Sequence, residues 1–160
     1  MVIREEQSSG FDAIRAVHLS AFPSANEADL VEALRRDGDA VISLVAMEND
    51  LVTGHVLFSR MRAPARALGL APVAVLPAFR RQGVAARLIE AGLRMAAEQG
   101  WEMVFVLGDP AYYQRFGFGT GQARDFISPY AGEHFMVRAL VADAPRAGNA
   151  DYAAAFSRLS

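Results

Sequence analysis

The stretch Val73–Leu88, VAVLPAFRRQGVAARL, decides the fold of this chain. It begins with apolar residues that end at Pro77, passes through a short segment with two adjacent arginines, and enters a run with helical spacing of apolar residues. An apolar strand, a tight turn and an amphipathic helix in this order are typical of an α/β fold. Gly83 and Ala85 stand at the predicted helix start, where their small size lets a ligand approach the backbone closely.

The start of this helix also has the chemistry of a phosphate site. The first N–H groups of a helix have no partner within the helix, and the helix dipole places about half a positive charge near them. Arg80 and Arg81 add two guanidinium groups, which bind phosphate oxygens well. We therefore expect residues 80–86 to hold a phosphate-bearing ligand.

Composition excludes several kinds of chemistry. All 16 basic residues of the 160-residue chain are arginine, and the cysteine count is 0. Without cysteine there is no disulfide, thiolate nucleophile or cysteine-bound metal, and without lysine there is no Schiff base or Walker A lysine. The net charge of -2 gives no broad basic surface, so we expect no nucleic-acid partner. The sequence shows no secretory signal and no apolar run approaching the roughly 18–20 residues of a membrane span, so we expect a cytoplasmic protein.

Apolar periodicity predicts the elements on both sides of the opening stretch. The predicted helices cover residues 10–22, 24–38, 83–99, 110–116 and 152–159. The predicted strands cover residues 2–6, 41–47, 51–58, 68–76, 103–107, 117–120 and 134–141, with a loop at 60–67. This order predicts an α/β fold with a mixed sheet flanked by helices on both faces. We expect one domain over residues 1–160, in which residues 142–160 form a C-terminal extension packed on the rest.

Two positions carry local predictions. Ser24 is a candidate N-cap for the second helix, and Glu27, three residues later, would complete a capping box. Pro72 cannot donate a hydrogen bond to a neighbouring strand, so within a strand that looks central it predicts a bulge or a break.

Two short motifs resemble those of a known family. Arg80-x-x-Gly83-x-Ala85 after a strand is similar to the [Q/R]-x-x-G-x-[G/A] acetyl-CoA motif of the GNAT superfamily of N-acetyltransferases. The later segment Tyr113–Phe118, YQRFGF, is similar to the Y-x-[K/R]-x-G-F signature of the same family. The resemblance covers roughly residues 1–140. It implies a GNAT-like fold and direct transfer of an acetyl group from acetyl-CoA, as co-substrate, to a primary amine of a small molecule, protein or peptide.

The resemblance also implies which residues contact the cofactor. In the family the strand before the motif is splayed from its neighbour, and its free backbone groups bind the pantetheine arm. A backbone N–H near Val73 would polarise the thioester carbonyl. The implied cofactor-binding residues are Val73, Ala74, Val75, Arg80, Arg81, Gln82, Gly83, Val84, Ala85, Ala86 and Tyr112.

Tyr113 is the candidate general acid. In the family a tyrosine at this place protonates the departing CoA thiolate, which requires the phenol to lie within hydrogen-bond reach of the sulfur. Many relatives have N-x-x-A-x-x-x-Y, whereas the segment here, GDPAYY, is shorter and has Asp109 where asparagine is usual. This departure makes Tyr112 a rival for the role. A role in packing alone is the alternative for either ring.

The general base is less well defined. Some relatives place a glutamate on the strand before the acetyl-CoA motif, but residues 68–71, LGLA, contain none. Glu27 is the first candidate, because the early helices form the acceptor side of such folds. His55 and His18 are further candidates, and a water chain that ends at backbone carbonyls would also suffice.

A second interpretation is a protein with the same fold and no catalytic activity. The missing strand carboxylate and the shortened tyrosine segment favour a non-catalytic module that binds acyl-CoA as a sensor. The histidines, His18, His55 and His134, lack metal-ligand spacing, so we expect no metal. We expect no membrane partner, and a monomer or a homodimer.

Overall fold

A six-stranded mixed sheet organises residues 1–158, the part of the chain that the structure, a computed structural model, describes. Its strands, in spatial order, are β1 (Val2–Glu5), β2 (Ala40–Glu48), β3 (Leu51–Arg60), β4 (Ala67–Val75), β5 (Met103–Leu107) and β7 (Phe135–Ala139). Two short strands, β6 (Phe126–Ile127) and β8 (Gly148–Asn149), pair with each other outside this sheet. Within the large sheet β4 and β5 are parallel, and the other neighbours are antiparallel.

Helices cover both faces of this sheet. They are α1 (Phe11–Ala21), α2 (Asn26–Arg36), α3 (Val84–Glu98), α4 (Pro110–Tyr113), α5 (Thr120–Ala123) and α6 (Ala154–Ser157). The buried side of α3 packs on one face through Leu88, Ile89 and Leu93. On the other face lie α1 and α2, which pack with residues of β2, β3 and β4 in a second apolar cluster. The predicted α/β fold with helices on both faces is confirmed.

The parallel strands β4 and β5 are paired only at their beginnings. Hydrogen-bonded register joins Ala67–Gly69 to Met103–Phe105 and then stops. On the opposite side β4 stays paired with β3 as far as Val75, with a register shift that gives β4 one extra residue around Pro72. The bulge predicted from Pro72 is therefore confirmed. From residue 70 to residue 75, one edge of β4 has no strand partner within residues 1–158.

Two local predictions were wrong. The α2 helix begins at Asn26, and Ser24 Oγ accepts a hydrogen bond from the Asn26 N–H (3.2 Å) without capping the first turn. No capping box forms among the described residues, and one carboxylate oxygen of Glu27 is buried without a hydrogen-bond partner. The strand predicted at 117–120 is reduced to one antiparallel bridge between Gly119 and Val137, because Gly117 adopts a left-handed conformation (φ 86°) and α5 begins at Thr120.

The C-terminal segment contributes side chains to the core. Tyr152, Ala153 and Ala155 are buried among residues of the sheet and of the early helices. The α6 helix is shorter than the helix predicted for 152–159, of which residue 159 lies outside the described part. The single-domain organisation with a C-terminal extension stays a prediction.

Close packing between α3 and β3 depends on Gly92. A Cβ at this position would lie 2.1 Å from Cε1 of Phe58, a fully buried ring. We expect Gly92→Ala to lower the free energy of unfolding by about 1–3 kcal/mol, because the added methyl group overpacks the core. Urea denaturation of the purified protein measures this difference.

The matched control is Gly121→Ala in α5, where a Cβ comes no nearer than 3.9 Å to its neighbours. Alanine is the better helix former by about 1 kcal/mol, so this variant should be neutral or slightly more stable. Equal stability of the two variants would contradict the packing argument.

Candidate functional site

A cavity of about 360 Å³ lies where the end of β4, the start of α3 and the segment after β5 meet. Its walls are Val75, Phe79, Arg80, Arg81, Gly83, Val84, Ala85, Ala86, Tyr112 and Arg115. The two motifs found in the sequence, more than 25 residues apart, therefore line the same cavity. Phe79 and Arg115 were not among the predicted site residues. Arg115 is the basic position of the YQRFGF segment, so this motif was sufficient to predict it as a site residue.

The start of α3 offers its first N–H groups to this cavity. Gly83, the N-cap, adopts a left-handed conformation (φ 78°), which glycine accommodates at little cost. No side chain within the described residues caps this helix. The first-turn amides of α3 therefore stay available to an anion, together with the positive end of the helix dipole.

Arg115 is fixed in the cavity wall by Tyr112. Its Nε donates a hydrogen bond to the backbone oxygen of Tyr112 (3.1 Å), and its guanidinium carbon lies 4.6 Å from the centre of the Tyr112 ring. Burial raises the pKa of the Tyr112 phenol, although the nearby Arg115 charge opposes the increase. The wall thus contains three arginines, and it has no carboxylate among the described residues.

The predicted pantetheine segment follows the unpaired edge of β4. Ala74 is buried toward α1 and α2, whereas Val73 and Val75 pack toward the α3 side. Only Val75 of these three lines the cavity itself. Gln82 also stays outside the wall and donates from its side-chain amide to the Ala78 carbonyl (3.4 Å).

Tyr113 lies over Gly108, which follows β5. A Cβ at Gly108 would be 2.6 Å from Cε2 of Tyr113, so the ring can approach the backbone this closely only over a glycine. Burial, with Tyr112 nearby, raises the pKa of the Tyr113 phenol to about 12. The rings of Tyr112 and Tyr113 are nearly perpendicular (86°), and only the Tyr112 ring contributes to the cavity wall.

Glu27 belongs to the inward-facing side of α2. It shares the helical spacing of Leu30, Val31 and Leu34, which are all buried. Its Oε1 atom is buried and has no hydrogen-bond partner in the described part of the chain. A carboxylate oxygen in this state has unused capacity to accept a proton or an N–H group.

The other two base candidates belong to a buried polar chain. Nε2 of His18 lies 2.8 Å from Nδ1 of His55, and Nε2 of His55 lies 2.7 Å from Ser43 Oγ. Ser43 Oγ lies 2.5 Å from Glu6 Oε1, and Arg35 binds both oxygens of the Glu6 carboxylate at 2.8 and 3.1 Å. We call Glu6, Ser43, His55 and His18 the buried polar chain.

Burial determines the charges along this chain. It lowers the pKa of His18 to about 3, with the neighbouring His55 and Arg35 charges adding to the effect. Burial also lowers the pKa of His55, although the hydrogen bond with Glu6 opposes the decrease. For Glu6, burial opposes ionisation, but hydrogen bonds with His55, Arg35 and Ser43 outweigh it and lower the pKa to about 2. At neutral pH both imidazoles are therefore neutral and the carboxylate is ionised.

Three further features of the described chain bear on function. Residues 1–158 contain no group of three or more His, Asp and Glu side chains that could hold a metal ion. His134 lies apart from the other two histidines, with Nδ1 3.2 Å from the Gly108 carbonyl oxygen. No helix in the same residues is long and apolar enough to cross a membrane.

Comparison with known proteins agrees with the fold and with both motifs. Residues 11–118 match the model of the Acetyltransferase (GNAT) family, and the chain belongs to this family of acetyltransferases. It is 38% identical over 150 residues to the uncharacterized N-acetyltransferase YhbS of Escherichia coli (strain K12), covering 90% of each chain. The resemblance stated from the sequence, and the enzyme class that it implies, are confirmed.

Two solved structures are similar over nearly the whole chain. The E. coli YhbS structure in complex with CoA has a TM-score of 0.92 at 35% identity, and covers 99% of this chain and 93% of that one. A GNAT family acetyltransferase from Brucella melitensis in complex with acetyl-CoA has a TM-score of 0.82 at 34% identity, with 97% of each chain covered.

The ionised Glu6 carboxylate should make stability depend on pH. Its pKa is lower in the folded chain than its ordinary value of 4.5, so its stabilisation is present above pH 4.5 and is lost as pH falls toward 2. We expect Glu6→Gln to lower the free energy of unfolding at pH 7 by about 2–3 kcal/mol, with the difference shrinking between pH 4.5 and 2. Urea denaturation over this range measures it.

Glu5→Gln is the control, because Glu5 is the neighbouring residue, at the end of β1, and is exposed. It should follow the wild-type pH dependence. If Glu6→Gln and the wild type show the same pH dependence, Glu6 does not stabilise the fold through its charge.

Proposed function

We propose that this chain transfers the acetyl group of acetyl-CoA directly to the nitrogen of a primary amine, in a small molecule, a protein or a peptide. The supporting observation is the cavity that joins the free amides of α3 and three arginines to the unpaired edge of β4. An anionic cofactor with an extended polar arm matches these two features. Acetyl transfer to an amine is the general reaction of the GNAT family.

The cofactor phosphates fit the start of α3. We assign the pyrophosphate to the backbone of residues 82–86 and to the side chains of Arg80 and Arg81, with Arg115 as a further anion ligand. Charge-assisted hydrogen bonds of this kind are about twice as strong as neutral ones. The CoA and acetyl-CoA complexes of the two similar structures support acetyl-CoA as the co-substrate.

The pantetheine arm and the thioester follow the free edge of β4. The segment Val73–Val75 has no strand partner on the β5 side, within the part of the chain that is described, and those of its backbone groups that point to this side can pair with the amides of the arm. We assign to the N–H near Val73 the hydrogen bond to the thioester carbonyl. A donor in this place stabilises the negative charge that develops on the oxygen during attack.

Tyr113 is our proposal for the general acid. The amine nitrogen bonds to the carbonyl carbon, the carbon–sulfur bond breaks, and the departing sulfur takes one proton. A phenol with a pKa of about 12 is protonated at neutral pH, as an acid for this step must be. Tyr112 has a different place in the proposal, because its ring lines the phosphate cavity and orients Arg115.

Glu27 is our proposal for the base that prepares the acceptor. Alkyl amines are mainly ammonium ions at neutral pH, and an ammonium nitrogen cannot attack. The unpartnered Oε1 of Glu27 is able to accept one N–H proton, and the carboxylate charge attracts the cation. This carboxylate takes the place of the strand glutamate that residues 68–71 lack.

Arg115 provides a test of the cofactor site. We expect Arg115→Ala to weaken CoA binding about 5- to 20-fold, as loss of a charge-assisted contact would. Calorimetric titration with CoA at low and high salt measures the effect, which should be smaller at high salt. Arg124→Ala, an exposed arginine outside this cavity, is the control and should bind CoA as the wild type does. Equal weakening in both variants would place the phosphates elsewhere.

Turnover tests the proposed chemistry. Thiol release from acetyl-CoA is followed with a panel of primary amines, and wild-type protein should release thiol in an amine-dependent way. We expect Tyr113→Phe to lower kcat about 100-fold or more, the usual range for loss of a general acid, without changing CoA affinity.

Tyr112→Phe is the matched control and should keep most of the turnover, since it retains the aromatic ring under Arg115. Acetyl-CoA binding without thiol release, unaffected by Tyr113→Phe, would instead favour the non-catalytic acyl-CoA module.

A further inference from the structure

The hydrogen bonds of the buried polar chain are all donated in one direction, toward the Glu6 carboxylate. The Glu6 carboxylate is ionised and can only accept hydrogen bonds, and Arg35 can only donate them. Ser43 has one hydroxyl proton, which it donates to Glu6. Ser43 Oγ must therefore accept the hydrogen bond from His55, whose proton is on Nε2.

The direction of donation also follows for the two histidines at the inner end of the buried polar chain. His55 is neutral, so with a proton on Nε2 its Nδ1 carries a lone pair and accepts from His18 Nε2. His18 is also neutral, so its own Nδ1 carries a lone pair. This Nδ1 atom is buried and has no hydrogen-bond partner among residues 1–158. The buried polar chain thus begins at the Glu6 carboxylate near the surface and ends at His18 Nδ1, an unused proton acceptor in the interior.

The inner end lies beside the segment assigned to the thioester. His55 on β3 is directly opposite Ala74 on β4, and both face the side of the sheet that α1 covers. Paired residues of neighbouring strands project to the same face, which brings His18 over this part of β4. Phe22, partly exposed at the link between α1 and α2, stacks on the His18 ring with the ring centres 6.1 Å apart.

We propose that His18 Nδ1 accepts the proton that the amine nitrogen loses during attack, and that a proton passes in turn through His55 and Ser43 to the Glu6 carboxylate. The proposal rests on the proposed acetyl transfer, in which an ammonium acceptor loses two protons. Glu27 takes the first, before the nitrogen attacks, and His18 takes the second.

The proton movements balance along the chain. As Nδ1 of His18 gains a proton, Nε2 of His18 passes its own to His55 Nδ1. His55 Nε2 passes its proton to Ser43 Oγ, and the Ser43 hydroxyl proton moves to Glu6. Each intermediate group gains one proton as it loses one, so no imidazole has to remain charged in an environment that strongly disfavours it. After product leaves, the protons shift back and His18 Nδ1 gives its proton to water.

A purely structural role explains these residues less well. A buried polar atom without a partner costs free energy, of the order of 1–3 kcal/mol, and packing alone gives no use to the lone pair on His18 Nδ1. Within the proposal His18 is a catalytic residue, because it contacts the reacting nitrogen. His55, Ser43 and Glu6 act through it.

Ser43 offers a matched pair of variants. Ser43→Ala removes the hydroxyl that joins His55 to Glu6, and Ser43→Thr keeps it. With acetyl-CoA and n-propylamine as the probe, we expect Ser43→Ala to lower kcat about 10-fold or more. Ser43→Thr should stay within about 2-fold of the wild type. CoA affinity should be unchanged in both variants, and urea denaturation identifies any loss of folding.

A solvent isotope experiment separates proton transfer from structure. The wild-type kcat should fall nonlinearly with the deuterium fraction of the solvent, because several protons move together. In Ser43→Ala the dependence should become less curved, because fewer protons move. Equal kcat values and equal isotope profiles for the alanine and threonine variants would overturn the proposal.

Nitrogen NMR of histidine-labelled wild type tests the proposal without turnover. With CoA bound, His18 should be protonated on Nε2 and not on Nδ1, and added n-propylamine should shift the Nδ1 resonance. The opposite tautomer, or an Nδ1 resonance that does not respond, would overturn the proposal. Thiol release by wild type tests the acetyl transfer itself. If acetyl transfer is wrong, wild type releases no thiol; if only the proton path is wrong, wild type releases thiol but the Ser43 variants and the His18 resonances do not behave as expected.

Discussion

The divergence of β4 from β5 is the constraint on which the rest of the structure depends. Parallel pairing ends after Gly69, while the bulge at Pro72 lets β4 continue along β3 as far as Val75. A row of backbone groups is left with no strand partner within the described chain, and such groups need a hydrogen-bond partner from elsewhere. The opening leads directly to the start of α3, so an extended ligand would meet polar backbone first and a helix end with uncapped amides next.

Electrostatics then divide the site into two sides. The cavity at the start of α3 gathers Arg80, Arg81 and Arg115 without an opposing carboxylate among the described residues, which suits an anionic cofactor. On the other face of the sheet, the unpartnered oxygen of Glu27 and the unpartnered nitrogen of His18 are both acceptors, which suits an N–H donor such as an amine. The chain has no lysine and no cysteine, and a direct transfer between two bound substrates requires neither.

Sequence reasoning succeeded where a local pattern has one structural meaning. Apolar periodicity predicted α3, the Pro72 bulge followed from the missing N–H of proline, and the two motifs identified the family. It failed at the Ser24–Glu27 capping box, because the same spacing is compatible with a helix that begins at Asn26. The contacts between Arg115 and Tyr112, and among the residues of the buried polar chain, join distant segments. Tertiary packing creates such contacts, and no local pattern predicts them.

We infer that acetyl-CoA lies in the opening between β4 and β5, with its thioester beside residues 73–75. A crystal structure of the chain with CoA bound tests it most directly. We expect the pyrophosphate at the first turn of α3, the pantetheine paired with the backbone of Val73 and Val75, and the sulfur within hydrogen-bond distance of the Tyr113 hydroxyl. A CoA molecule bound outside this opening, or a sulfur out of reach of Tyr113, would overturn this assignment of the site.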